Sequence, residues 1–225
     1  MTFSISARCA RTGMFGLAVS SSSPAVAARC AHVRANVGAC ASQNITDPWL
    51  GTRMLELLEA GLSAPDAVAQ VVASASHIDY RQLAAVDGEG RTGHYSGART
   101  LGTYAAADGP GVVCAGNLLA DDGVPAAMVD TFMADDEAPL AERLLGAMRA
   151  AARAGGEEGP VHSAGMVLVR DVPWPIADLR VDWHNNDPIG ALIRLWEIYE
   201  PQLEDYVTRA RDPTQAPSYG VPGDT

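Results

Sequence analysis

The order in which the hydrophobic period changes along this chain restricts its fold more than any single motif does. Residues 2–8 and 14–21 alternate at the period of two expected of strands, and Ala10-Arg11-Thr12-Gly13 between them supplies a hairpin turn with glycine for a positive φ. A third strand is predicted from Ala35 to Ser42. The period then becomes helical. Leu50, Met54, Leu55, Leu57 and Leu58 share one face, Asp47-Pro48 reads as an N-cap followed by a first-turn proline, and Gly61 closes the helix. Ser63 caps a second helix running to about Ala75.

Strands resume at Gln82–Val86 and Arg91–Tyr95 around the turn Asp87-Gly88-Glu89-Gly90, with another at Val112–Ala115. Two helices follow near 124–134 and 138–154, then strands near 164–170 and 178–183. A last long helix starts at Asp187-Pro188, with a kink predicted at Pro201. Strands, a helix pair, strands, a second helix pair, two strands and a helix do not make the strict βαβ alternation of a Rossmann or barrel fold. The order suits stacked sheets with paired helices outside. One domain is expected over residues 1–210, and the Pro, Gly and Asp-rich stretch 211–225 reads as a disordered tail.

Composition narrows the function. With 225 residues, 48% of them hydrophobic, the chain can bury one substantial core. Its formal charge of -11, without any basic block, argues against nucleic acid and against an anionic membrane surface. No apolar run reaches the length of a spanning helix and no leader-like segment is seen, so the cytoplasm is the expected compartment. All 16 basic residues are arginine, which removes Schiff-base and Walker-type lysines and leaves the N-terminus as the sole amine. Cys9, Cys30, Cys40 and Cys114 are irregularly spaced, and the five histidines form no ligand pair, so reduced, buried thiols and no metal are expected. No cofactor motif is present either.

The candidate chemistry begins at the start of the chain. Met1-Thr2 is followed at once by the strand-like run Phe3-Ser4-Ile5-Ser6-Ala7-Arg8. Trimming of Met1, usual before a small residue, would leave a threonine with a free α-amine beside its hydroxyl, nucleophile and base in one residue. An α-amine has a reference pKa of about 8, so a useful fraction of it is neutral at pH 7.

An N-terminal threonine opening a strand, its hairpin partner and the paired helices together resemble the N-terminal nucleophile (Ntn) hydrolases. More closely, the chain resembles the family called domain of unknown function ten twenty-eight, grouped with them. The likeness runs from Thr2-Phe3-Ser4-Ile5 through Gly16-Leu17-Ala18-Val19-Ser20-Ser21, Ser42-Gln43, Tyr80-Arg81-Gln82-Leu83 and Gly116-Asn117 to Ser163-Ala164 and Leu179-Arg180-Val181-Asp182 followed by His184. It implies an α+β fold, a four-layer α-β-β-α sandwich, and hydrolysis of an amide or similar C–N bond. Relatives often carry a basic residue near Ser22, a glutamine at His162 and an unbroken Asp-Asp-His-Pro run where this chain has Asp182-Trp183-His184-Asn185.

On this reading Thr2 attacks a carbonyl, its own amine takes the proton, and water cleaves the acyl-enzyme. Asn117 is either an oxyanion donor or an ordinary strand-end asparagine, and Ser20 and Ser21 could orient the amine. Gln43 and Arg81, within the shared motifs, are placed with the substrate-binding residues. His162-Ser163 could bind substrate or form a buried hydrogen-bonded pair. Asp178, Arg180, Asp182 and His184 are predicted to alternate along one strand as an ion-pair ladder or a carboxylate-binding wall. The expected substrate is a small amide or cyclic imide, with a carboxylate to meet Arg81 and Arg180. A catalytically silent binding or assembly protein and a cysteine-dependent hydrolase are the alternatives. The aromatic residues Trp196, Tyr199 and Tyr206 of the last helix suggest a homodimer.

Overall fold

The computed structural model describes residues 2–223. The chain forms β1 (Thr2–Arg8), β2 (Phe15–Ser21), a short α1 (Ala27–Cys30), β3 (Ala31–Arg34), β4 (Gly38–Asn44), α2 (Pro48–Glu59) and α3 (Ala64–Ser74). It continues through β5 (Arg81–Asp87), β6 (Thr92–Ser96), β7 (Ala105–Gly109), β8 (Val112–Asn117), α4 (Val124–Met133) and α5 (Leu140–Arg153). The last elements are β9 (Ser163–Val169), β10 (Ala177–Val181), α6 (Pro188–Tyr199) and α7 (Leu203–Arg211). Two antiparallel sheets result, one in the order β10-β9-β2-β1-β8-β7 and the other β3-β4-β5-β6.

Strand alternation decides what each face buries. In β1, Phe3, Ile5 and Ala7 enter a large apolar cluster with Met128, Phe132, Leu144 and Met148 of α4 and α5 and with Leu192 of α6. The even residues Thr2, Ser4 and Ser6 therefore face the other sheet. That second sheet packs Cys40, Leu83 and Ala85 against α2 and α3, and turns Ala41 and Ala84 inward against Leu17, Val19, Val113 and Ala115. The layer between the sheets is thus built from small and medium side chains, with polar groups at one end.

Several sequence expectations are met closely. Asp47 accepts the Trp49 N–H at 3.1 Å and starts α2, Ser63 accepts from Asp66 at the start of α3, and Pro201 lies in a 3-10 turn that separates α6 from α7. Three are corrected. The strand predicted over 35–42 is found as β4, starting only at Gly38, and an unpredicted β3 pairs with it across a turn at Asn36 in the left-handed region (φ 61°). β7 was not predicted, because Ala105-Ala106-Ala107 carries little strand propensity. β10 ends at Val181, so Asp182 and His184 do not extend its alternation. Of the aromatic residues named for a dimer, Trp196 is buried in the core, the Tyr199 hydroxyl donates to Ile176 O at 2.8 Å, and Tyr206, stacked on Tyr199, is exposed.

The β5–β6 hairpin is fastened by Asp87. One carboxylate oxygen accepts from Ala64 N and Arg91 Nε, both at 2.8 Å, and the other from Glu89 N and Arg91 N at 2.9 and 3.0 Å. Burial pushes this carboxyl up, but the hydrogen bonds outweigh it and hold it below the usual carboxylate range. A depressed folded-state pKa adds stability above the ordinary range that is lost as the pH falls through the folded value. Asp87→Asn is accordingly expected to cost about 2 kcal/mol at neutral pH, because two donors would meet an NH2 group. The gap to wild type should close in acid. Urea titrations at pH 7 and in acid would check this, and a gap that ignores pH would contradict it.

Candidate active site

Ladder register builds the site. Phe3 pairs with Ser20 across β1 and β2, so the next step sets Thr2 beside Ser21; Ser21 pairs with Ser163 of β9, and Thr2 with Asn117 of β8. Directly opposed residues share a sheet face. Ser163, Ser21, Thr2 and Asn117 therefore form one row across four strands, on the face turned to the second sheet. Thr2 is 4% exposed and its Oγ1 donates to Ser21 Oγ at 3.4 Å. Ser21 Oγ lies 2.8 Å from Ser23 Oγ and accepts the Ser23 N–H at 3.1 Å.

Behind the row a chain of buried amides joins the sheets. Ser4 Oγ donates to Gln43 Oε1 at 2.7 Å, and Gln43 Nε2 donates to Gln82 Oε1 at 2.8 Å and to Ala115 O at 3.1 Å. Asn117 Nδ2 also donates to Gln82 Oε1, at 3.0 Å, while Gln82 Nε2 donates to Ser96 Oγ and Gly116 O. Gln82 thus has both acceptor sites and both donors engaged, which fixes the orientation of each amide. One N–H of Asn117 is committed to Gln82, leaving only the second for an oxyanion. Its Oδ1 is buried without a hydrogen-bond partner.

The remaining expected residues divide. Ser20 falls on the opposite face from Thr2, and its hydroxyl donates to Ser163 O at 2.9 Å. Gln43 sits inside the amide chain, with no exposed surface. Ser163 Oγ donates to Ser23 O at 2.6 Å and accepts from Val26 N at 3.2 Å, so it holds the loop after β2. His162 lies beside the row: its N–H donates to Ser21 O at 2.8 Å and its ring stacks on Trp183 at 4.3 Å. His184 Nδ1 accepts from Asn186 N and Asp187 N just ahead of α6, and Asp182 offers its backbone carbonyl to Ala25 N.

Neither expected arginine reaches Thr2. Arg81 precedes the inward Gln82, so alternation turns it outward, where it donates to Ile45 O. Arg180 lies three strands from β1, roughly 14 Å at the usual strand spacing, and forms a two-point ion pair with Asp178. Burial pushes the thiols of Cys30, Cys40 and Cys114 up, which disfavours the reactive thiolate, and Cys9 follows the far end of β1. Among the described residues no cluster of His, Cys, Asp or Glu could hold a metal ion, and no helix is long and apolar enough to cross a membrane.

Sequence reasoning missed two residues here, Gln82 and Glu157. Gln82 stood in a motif without a role, and Glu157 follows Gly155-Gly156, which reads only as a helix stop. Glu157 is 4% exposed and accepts the Ser22 N–H at 3.1 and 3.2 Å on its two oxygens. Burial pushes its carboxyl up to about 7.

Among solved structures, Anbu (ancestral beta-subunit) from Yersinia bercovieri is similar at 11% identity and a TM-score of 0.41, covering 92% of this chain and 97% of its own. Anbu from Hyphomicrobium sp. strain MC1 is similar at 12% identity and a TM-score of 0.39, covering 97% and 100%. No curated protein matches the chain. Protein SPO2555 from Silicibacter pomeroyi, described with the family-model DUF1028, is 32% identical over 88% of each chain with a TM-score of 0.82. The profile of the Family of unknown function (DUF1028) matches residues 2–192, and the chain belongs to that family.

Proposed function

We propose that this protein is an Ntn-type hydrolase that cleaves a C–N bond of a small amide or cyclic imide, with Thr2 as nucleophile once Met1 is removed. The observation that carries the reading is the row Ser21, Thr2, Asn117 at the start of a central strand, with Thr2 Oγ1 hydrogen-bonded to Ser21 Oγ. Helices on the outer face of each sheet support the α-β-β-α layering that the family resemblance implies. In the proposed reaction the Thr2 hydroxyl proton passes to the Thr2 amine as Oγ1 bonds to the substrate carbonyl carbon. The amine then returns that proton to the leaving nitrogen as the C–N bond breaks, and water releases the acyl group. The free N–H of Asn117 is suited to the developing oxyanion.

Arg81 and Arg180 lie off the Thr2 row, and Arg29 beside it already donates to Ser23 Oγ, Pro24 O and Ala25 O, so recognition through carbonyl and N–H groups fits the hydroxyl and amide lining better. Substrate screening with N-acyl amino acids, dicarboxylic monoamides, neutral amides and cyclic imides tests this. Turnover should be lost in Thr2→Ala and little changed, within about twofold, in Arg180→Ala, whose guanidinium is already engaged by Asp178. A strong rise in KM for an acidic substrate in Arg180→Ala would restore the carboxylate-binding wall. The intact mass of protein from its own host supplies the companion test. A mass lower by one methionine supports the enzyme, and a retained Met1 supports a silent binding or assembly protein.

A further inference from the structure

The segment after α5 lies at the end of the sheet where β1 begins. Ala120 N donates to Gly156 O at 3.0 Å and Glu158 N donates to Leu118 O at 3.0 Å, while Ser22 N donates to the Glu157 carboxylate. Leu118–Ala120 continue β8 and Ser22 continues β2, the two strands that flank β1. Residues 156–158 thus pair alongside the continuation of β8, and the Glu157 side chain reaches past the start of β1 to Ser22 on the other flank. A Cβ on Gly156 would lie 3.5 Å from the Phe3 ring, which brings this segment into contact with the first residues of the strand. The Glu157 side chain therefore spans the end of the sheet at which Thr2 begins β1.

A carboxylate so deeply buried calls for several donors or a cation. Its neighbours Ser22, Leu118, Leu119, Ala120 and Phe3 are uncharged, and the nearby acids Glu158, Asp121 and Asp122 are exposed. Among the described residues no arginine or histidine pairs with it, and Ser22 bonds it through both its N–H and its side chain. We propose that Glu157 is the positioning carboxylate of the Thr2 amine, accepting its N–H and stabilising the ammonium that forms when the amine takes the Thr2 hydroxyl proton. This rests on the Thr2 reading above. The arrangement has the logic of a carboxylate placed behind a general-base imidazole: it turns the lone pair toward the hydroxyl and favours the charge that develops during attack.

The absence of lysine makes the amine directly measurable, because acetic anhydride at low concentration then acylates a single amine. The pH dependence of that rate gives its pKa. In protein lacking Met1, Glu157→Gln should lower the amine pKa by about one unit, since it removes an opposite charge at close range. That is roughly tenfold faster acylation at a pH below both midpoints. Glu157→Asp, which keeps the charge, should recover part of the shift. An amine pKa unchanged in a folded Glu157→Gln variant overturns the assignment. Should that variant fail to fold, wild type decides: a midpoint above about 8 supports the pair, and one at or below the ordinary value overturns it. Retention of Met1 in protein from its own host would overturn the Thr2 reading itself, whereas a free Thr2 amine indifferent to Glu157 removes only the present inference.

Discussion

Thr2→Ala, in protein freed of Met1, is expected to lose covalent capture of an acylating inhibitor and to lower turnover by about a thousandfold or more, with the fold intact. The loss should be that large because, on the proposed mechanism, the hydroxyl is the atom that forms the bond. Ser21 is the nearest rival, and its Oγ already contacts Ser23 Oγ and accepts the Ser23 N–H. Thr2→Ser should keep a large part of the activity, since it keeps both amine and hydroxyl. A β-lactone followed by intact-mass measurement reads the first outcome without knowledge of the substrate. Labelling that persists in Thr2→Ala would place the nucleophile elsewhere.

Gln82→Met is expected to produce the largest loss of stability of any single change near the site, about 3–5 kcal/mol. The side chain is fully buried and is the one member of the amide chain that serves both Gln43 and Asn117. Methionine fills similar volume but leaves the Gln43 and Asn117 amides, Ser96 Oγ and Gly116 O short of a partner. Each deserted buried group costs roughly 1–3 kcal/mol, and such networks are not additive. Since whole domains are stable by only about 5–15 kcal/mol, the change should be plain in a urea midpoint. A loss under about 1 kcal/mol would mean that water or repacking satisfies these groups.

The local half of the fold was legible in the sequence. Asp47 and Ser63 announce their helices by capping, Pro201 announces the helix break, and the alternation of residues 2–8 gives both faces of β1. The turn at Asn36 was not legible because Arg34-Ala35-Asn36-Val37 lacks glycine at the left-handed position, and β7 because alanine favours no strand. The site was half legible. Thr2, Ser21 and Asn117 were named from the strand ends, and the structure places them in one row. The partners of Asn117 and Ser22 were hidden for a different reason: Gln82 lies 35 positions before Asn117 and Glu157 lies 135 after Ser22, and such contacts leave no periodic trace. The arginines lay in shared motifs, and motif membership carries no distance: Arg180 is three strands from β1 and Arg81 donates to Ile45 O.

The amide chain has a consequence for how this protein comes into being. Asn117 belongs to one sheet and Gln82 to the other, so the six-stranded sheet alone can align Thr2, Ser21 and Asn117 but cannot aim the Asn117 amide. On the proposed mechanism, a half-assembled molecule would carry its nucleophilic threonine without an oriented donor beside it. During refolding, recovery of activity should therefore track the joining of the two sheets and lag behind strand formation, so that the chemistry is withheld until the scaffold is complete.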